Sequence, residues 1–296
     1  MNKLGFYPAA PDTDRLQALR EGWERQYRYG SVAERKAREA RWSPYYSLIY
    51  QAQLGQPYTI PAEPGPVVRT LAEQGLVHPE AAVLDIGCGT GGTALELARL
   101  CRSVTAVDSN ETAIEVLRER CAGTHTENLT ALCASWNDGR PGDAWDLVIS
   151  AMCPAICNPE ELLAMEACAR ETCVLVTVMK GSADKYRSQM MRELNLRPEG
   201  MITEYSTYLD VLRAMGRDVT VWTMERFTKR NTSLEELLWQ FPTYFEIFGM
   251  EQEASVSYLK SFFEKHQENG FLADETQMNV AMLVWKPVCT EGGTRQ

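Results

Sequence analysis

The chain has 296 residues, 45% of them hydrophobic, and a formal charge of −10, which fits one large α/β domain with an elaboration or two modest domains and excludes disordered and fibrous classes. The acidic balance speaks against a nucleic-acid surface, and no apolar run is long enough to cross a membrane. The first residues lack an export signal, so the nine cysteines are expected to be reduced thiols of a cytoplasmic protein.

Residues 12 to 41 read as helical, with Gly22 and Gly30 as the only breakers of note. Residues 15 to 41 carry eight Arg/Lys against four Glu, which reads as a solvated helix face or, more sharply, as a basic lid over an anionic acceptor. RWSPYYSLIY follows, aromatic and interrupted by Pro44. A connector with Pro57, Pro61, Pro64 and Pro66 joins this segment to the main fold, and VVRTLAEQGLV is an apolar-periodic helix.

After Pro79 short apolar strands alternate with helices. Strands are predicted at AAVLDIG, SVTAVD, NLTALCA, WDLVISA and CVLVTVM. Helices are predicted at TALELARLC, at ETAIEVLRERC with Asn110 or Ser109 as cap, and at PEELLAMEACAR with proline in its first turn. The alternation argues for parallel βαβ units in a doubly wound sheet. Past Lys180, helices are expected at KYRSQMMRELNL, STYLDVLRAMG, SLEELLWQF and SVSYLKSFFEKH, with strands at DVTVWTMERF and NVAMLVWKP.

The stretch VLDIGCGTGG satisfies two templates at once. Gly87, Gly89 and Gly92 have the spacing of a dinucleotide turn, whereas Asp85 precedes a run of Gly87, Gly89 and Gly91. A nicotinamide dinucleotide would bring a pyrophosphate here, and an acid at the strand end works against it. S-adenosylmethionine (SAM) brings an ammonium instead, which Asp85 can pair directly or through water. Asp108, at the end of the next strand and 19 residues after Gly89, suits a ribose diol in either cofactor.

VLDIGCGTGG, VTAVDSN, CASWND and WDLVISAMCP resemble the ordered motifs of class I SAM-dependent methyltransferases over about residues 67 to 180. The resemblance implies a Rossmann-like, mostly parallel seven-stranded sheet whose last strand is antiparallel and inserted next to the sixth. DVTVWTMERF and NVAMLVWK would be those two strands, with residues 228 to 278 as a helical excursion between them. Residues 1 to 66 would form a helical N-terminal extension or lid, 67 to 180 the SAM-binding core, and 181 to 296 cap helices plus the last two strands.

By position, the resemblance puts Asp85, Gly87, Cys88, Gly89 and Gly91 at the methionine end of SAM. Asp108 would take the ribose, with Ser109 and Asn110 beside it. Ala134, Ser135 and Trp136 would hold the adenine. Many members place an acid where this chain has Ser135, so Asp138 or a backbone carbonyl is left to meet the adenine amine. Ser150 would lie between cofactor and acceptor.

The resemblance implies methyl transfer to a small-molecule acceptor at oxygen, nitrogen or activated carbon, with no metal, nucleic-acid or membrane partner. The sequence leaves the oligomeric state open, a homodimer included. An NAD(P)-linked oxidoreductase and a non-catalytic SAM-binding protein are the alternatives from other classes. The Asn/Asp-Pro-Pro-aromatic motif of nucleic-acid and amide-nitrogen enzymes is absent.

Cys153 and Cys157 are spaced for soft-metal or thiol chemistry, or for plain packing. Tyr45, Tyr46 and Cys153 are the candidates for positioning the acceptor. Trp42 and Tyr50 are further candidate wall residues, and Tyr205, Tyr208, Trp222 and Met224 are candidates for completing a cap. His78, His125 and His266 are expected to be structural or on the surface.

Overall fold

The computed structural model describes residues 1–4, 10–27, 31–139, 144–196 and 203–288. The chain begins with a short edge strand β1 (Asn2–Leu4) and two helices, α1 (Thr13–Tyr27) and α2 (Val32–Gln51). The stretch expected as one helix over 12 to 41 is therefore two. Ser31 caps the second: its hydroxyl accepts from the Glu34 N–H, and the Glu34 side chain reaches back to accept from the Ser31 N–H, a reciprocal cap that starts a new helix. RWSPYYSLIY is not interrupted either. Pro44 sits inside α2 between the buried Trp42 and Tyr45, so packing outweighs the hydrogen bond that the proline removes.

The alternating core then unfolds in order: α3 (Pro66–Glu73), β2 (Ala82–Ile86), α4 (Gly92–Ala98), β3 (Ser103–Asp108), α5 (Glu111–Thr124), β4 (Leu129–Cys133), β5 (Trp145–Ala151), α6 (Pro159–Ala167) and β6 (Ala169–Val178). Asn110 is the cap of α5, its side chain accepting from the Ala113 N–H at 3.1 Å. The remainder is β7 (Ala183–Asp184), α7 (Lys185–Glu193), α8 (Tyr205–Ala214), β8 (Val219–Thr232), α9 (Leu234–Glu246), α10 (Gln252–His266) and β9 (Leu272–Trp285).

The strands form one sheet in the order β1-β8-β9-β6-β5-β2-β3-β4, with β7 added on β9. Strands β4, β3, β2, β5 and β6 are parallel neighbours. β9 runs antiparallel between β6 and β8, which is the inserted last strand expected from the sequence. The seven expected strands are present in Rossmann-like order, and β1 and β7 are two short additions. The excursion is shorter than expected, because β8 and β9 pair without interruption from Val219↔Trp285 out to Thr232↔Leu272. Residues 228–232 and 272–278 are thus ladder, not helix.

Side-chain alternation on β2 divides the core. Leu84 and Ile86 join a cluster with Trp23, Met165 and Tyr208 on one face. Val83 joins Leu71, Leu95, Ile114 and Leu117 on the other. A third cluster sits beyond the sheet, where α2, α7, α9 and α10 bring together Trp42, Tyr45, Tyr186, Tyr244, Phe245 and Phe262. It forms a helical cap, and α2 belongs both to it and to the roof of the strand ends.

One buried ion pair fastens the late strands to the core. Arg217, just before β8, donates to both Glu166 oxygens at 2.7–3.1 Å, and the Trp285 indole N–H of β9 donates to the same carboxylate at 2.9 Å. Removing the cation alone would leave Glu166 buried without its counter-charge. Arg217→Leu should lower stability by about 3 kcal/mol. Urea denaturation checks this; a midpoint equal to that of the parent would show the pair to be dispensable.

Candidate active site

The chain leaves β2 at Ile86 and turns through Gly87, Gly89 and Gly91, whose φ angles are 71°, 54° and 81°. All three lie in the left-handed region, where a Cβ is strained. Space is short as well: a Cβ on Gly87 would overlap the Cys153 side chain, and one on Gly91 would overlap Leu117. The N–H groups of Gly87 and Cys88 donate to the Val107 carbonyl at 2.7 and 3.1 Å. The Gly89 N–H donates to Asp108 Oδ2 at 2.8 Å, and the Asn110 N–H donates to Oδ1 at 2.9 Å. Burial outweighs these bonds and pushes the Asp108 carboxyl up from its ordinary value.

Asp85 lies one strand over, 1% exposed, and its Oδ2 has no hydrogen-bond partner. Burial first, then the charge of Asp108, push its carboxyl from 3.8 up to about 7. Such a group is a cost to the fold unless a cation or donor meets it. With its folded value raised, the favourable protonated form is fully present below pH 3.8, and that stability is lost as pH rises through about 7. Asp85→Asn should therefore raise the melting temperature of the ligand-free protein at pH 8, by at most about 4 kcal/mol in stability. The advantage should shrink as the melts are repeated toward pH 4. A variant less stable at pH 8 would show Asp85 to be paired after all.

A cavity of about 160 Å³ opens at the carboxyl ends of the strands, a volume that in an apolar cavity admits a benzene-sized ring. Of the residues predicted for the cofactor, Gly87, Asp108, Ser109, Asn110, Ser135 and Trp136 line it. Ala134 lines it too. Asp85, Cys88, Gly89, Gly91 and Ser150 do not stand on its wall. Asp85, Cys88, Gly89 and Gly91 belong to the strand end and loop that shape its floor. Ser150 is fully buried and donates to the Ile86 carbonyl at 3.1 Å, so it joins β5 to β2.

The roof is α2. Trp42, Tyr46 and Tyr50 face the cavity, and the Tyr46 and Tyr50 rings stack at 6.0 Å. The Tyr50 hydroxyl lies over Gly89, 3.4 Å from where its Cβ would be. Tyr45 points the other way: its hydroxyl accepts from Gln240 of α9 at 2.8 Å, and it packs in the cap. As neighbours on a helix, Tyr45 and Tyr46 face different sides, and only Tyr46 keeps the expected place. Cys153 and Cys157 line the cavity. Burial pushes the Cys153 thiol up to about 12 and the Cys157 thiol to about 11, so both are held protonated. Burial likewise raises the Cys88 thiol and the Tyr50 phenol, and takes Tyr46 up to about 12.

The other predicted cap residues lie elsewhere. Tyr208 donates to the Ile156 carbonyl within the core, Tyr205 packs beside it, and Trp222 and Met224 belong to the opposite face of the sheet. His125 is the left-handed residue that ends α5, and His266 packs on Phe262 of α10. His78 accepts from the Ala81 N–H through its carbonyl in the turn before β2. Asp138 pairs with Lys36 on an exposed rim. The cysteines among the described residues are all free thiols, and no group of three or more metal-ligating side chains occurs among them. No helix among them is long and apolar enough to cross a membrane.

Among the wall residues missed by the sequence reading are Arg35, Arg38, Glu39 and Asn137. Three belong to the basic stretch, which thus does reach the cavity. Arg35 donates to Asn137 at 2.9 Å and pairs with Glu161 at 2.9 Å, while Glu161 also accepts from the Trp136 indole at 2.7 Å. At its other end α2 is held by Asn110, which donates to Ser47 at 2.9 Å, and Gln53, two residues past the helix, accepts from Arg120 at 2.6 Å. The roof is therefore tied to α5 and to the loop after β4.

This sheet and glycine loop define a Rossmann-like domain. The methyltransferase domain family matches residues 83–173, which run from β2 into β6. A protein-L-isoaspartate O-methyltransferase of Parvibaculum lavamentivorans is 28% identical over 156 residues, covering 50% of this chain and 68% of that protein. A 2-heptyl-1-hydroxyquinolin-4(1H)-one methyltransferase of Mycobacteroides abscessus is 33% identical over 112 residues, covering 38% of this chain and 40% of that protein. The chain thus spans about two thirds of the first relative and less than half of the second. A SAM-dependent methyltransferase of Geobacter sulfurreducens, solved with S-adenosyl-L-homocysteine, shares the fold at a TM-score of 0.52 and 13% identity, over 83% of this chain and 98% of that one. Over residues 83–173 the chain is thus similar to the methyltransferase domain family, and its fold is shared with a solved SAM-dependent methyltransferase.

Proposed function

We propose that this protein binds SAM and transfers its methyl group to a small-molecule acceptor. The observation that carries the cofactor is Asp85: a buried carboxylate with an orphaned oxygen behind the glycine loop suits an ammonium and opposes a pyrophosphate. The residues fit the group. Asp85 and the loop would hold the methionine end, Asp108 the ribose hydroxyls, and Ser135 and Trp136 the adenine, with Tyr50 closing over the loop. The NAD(P) reading loses on the same carboxylate.

When bound, SAM supplies a methyl group already activated by its sulfonium. The chain's own task is then alignment and exclusion of water. Trp42 and Tyr46 roof the cavity with apolar ring faces that suit a planar or hydrophobic acceptor. Tyr46 and Cys153 both keep their protons near neutral pH, so neither takes a proton from the acceptor nor acts as a thiolate. The acceptor must bring its own lone pair. An aromatic roof supports a small molecule over a protein side chain, although two relatives carry protein methyltransferases' names.

Asp108→Ala should weaken SAM binding about a hundredfold, because the ribose loses its acceptor and the Gly89 N–H loses its brace. Calorimetry reads the affinity, and an unchanged value would mean that the ribose sits elsewhere. Mass spectrometry of a small-molecule extract incubated with protein and SAM should reveal a methylated product. Label appearing only in protein would overturn the acceptor class.

A further inference from the structure

We propose that Glu39, on the roof helix α2, accepts a hydrogen bond from the exocyclic amine of the cofactor's adenine and makes the lid itself a part of the cofactor site. This rests on the reading of the cofactor as SAM. Among the described residues of the loop after β4, Ser135, Trp136 and Asn137 stand on the cavity wall and no carboxylate does. Glu39 reaches that place from a distant part of the chain. The Ser135 hydroxyl donates to Glu39 Oε2 at 2.9 Å, and the Asn137 amide donates to the same oxygen at 3.3 Å. Asn137 also donates its N–H to the Ser135 hydroxyl at 3.2 Å, so the three residues form one braced unit. Both side-chain donors use Oε2, and Oε1 has no bond to a described residue. Arg35, one turn earlier on α2, holds the helix in register through its contacts to Asn137 and Glu161.

A carboxylate only accepts hydrogen bonds, so Glu39 selects a donor. SAM offers N–H or O–H donors at three places: the ammonium, the ribose hydroxyls and the adenine amine. Asp85 and Asp108 match the first two. Burial raises the Asp108 carboxyl and the charge of Glu39 raises it further, so Glu39 stands near the ribose site on the wall it shares with Ser135. The adenine amine is the donor left over, and the Ser135 wall is where the base is expected. A base with oxygen in place of that amine would set two acceptors face to face. Because the contact comes from α2, filling the adenine site also holds down the helix that carries Trp42, Tyr46 and Tyr50.

The test is calorimetric binding of two ligands, S-adenosylhomocysteine and S-inosylhomocysteine, which differ in the amine and the adjoining ring proton. The parent should prefer the adenosyl compound by about a hundredfold or more, two steps of tenfold. Glu39→Gln keeps an oxygen for Ser135 and gains an N–H₂ for the inosyl oxygen. It should lose about tenfold toward the adenosyl ligand and gain toward the inosyl one, so the preference collapses. A melt of the ligand-free variant equal to the parent's shows that the fold is kept and supports reading the change as a contact. Equal affinities in the parent, or a preference that Glu39→Gln leaves intact while both ligands weaken together, would make Glu39 a brace of Ser135 and overturn the proposal. A parent that binds neither nucleoside overturns the cofactor reading itself.

Discussion

The bond from the Gly89 N–H to Asp108 Oδ2, at 2.8 Å, joins the turn after β2 to the end of β3 and sets the shape of everything above it. For this N–H to face the acid, the backbone must adopt positive φ at three nearby positions, and Gly91 must leave room for Leu117 of α5. The same bond fixes Asp108 at the cavity floor. Its neighbour Asp85 has no comparable donor among the described residues, and burial and the charge of Asp108 raise its cost of ionisation. The fold keeps this uncompensated charge where a purely structural core would have placed an apolar residue. Strain and unmet polar groups of this kind gather where a ligand completes the structure.

The roof obeys a second constraint. Trp42 stands on the cavity wall and also packs edge-on against Tyr244 and Phe248 in the cap, with ring centroids about 6 Å apart. The cap cluster therefore positions the roof from behind, while Arg35, Glu39 and the Asn110–Ser47 bond position it from the core. The long β8–β9 ladder spans both, since it enters the sheet beside β6 and ends where α9 and α10 begin and finish the cap. Aromatic pairs contribute a modest amount each beyond their buried area, but here they decide which face of α2 meets the ligand.

Periodicity made the central βαβ run legible, because Val83, Leu84 and Ile86 or Leu147, Val148 and Ile149 are apolar on both faces and bounded by turn residues. The glycine loop was legible from Asp85 and the glycine spacing together. What escaped the sequence was long-range. Thr228, Lys229 and Arg230 are exposed and show no alternation, so the outer half of β8 is visible only through its partners Thr276, Glu275 and Asp274. The choice between Tyr45 and Tyr46 depends on the rotation of α2, which Pro44 obscures locally and the cap decides globally. Glu39 was hidden in a charge count: its partner Ser135 lies 96 residues away.

The state of the site's protons narrows the chemistry further. Near neutral pH the Tyr46 phenol and the thiols of Cys153 and Cys157 are all neutral donors, raised by the same burial that excludes water. Neutral groups over a cationic sulfonium neither quench its charge nor compete with an acceptor for its methyl group. The carboxylates, by contrast, stand where the cofactor's hydrogen-bond donors would be, at the ends of β2 and β3 and on α2. On the proposed function, binding and reactivity are separated along one cavity: charge would select and hold the methyl donor, and an uncharged aromatic wall would receive the acceptor. On the proposed function, an acceptor with an acidic proton would have to lose it before the transfer, so nucleophiles already neutral and basic, or already anionic, are the ones this geometry favours.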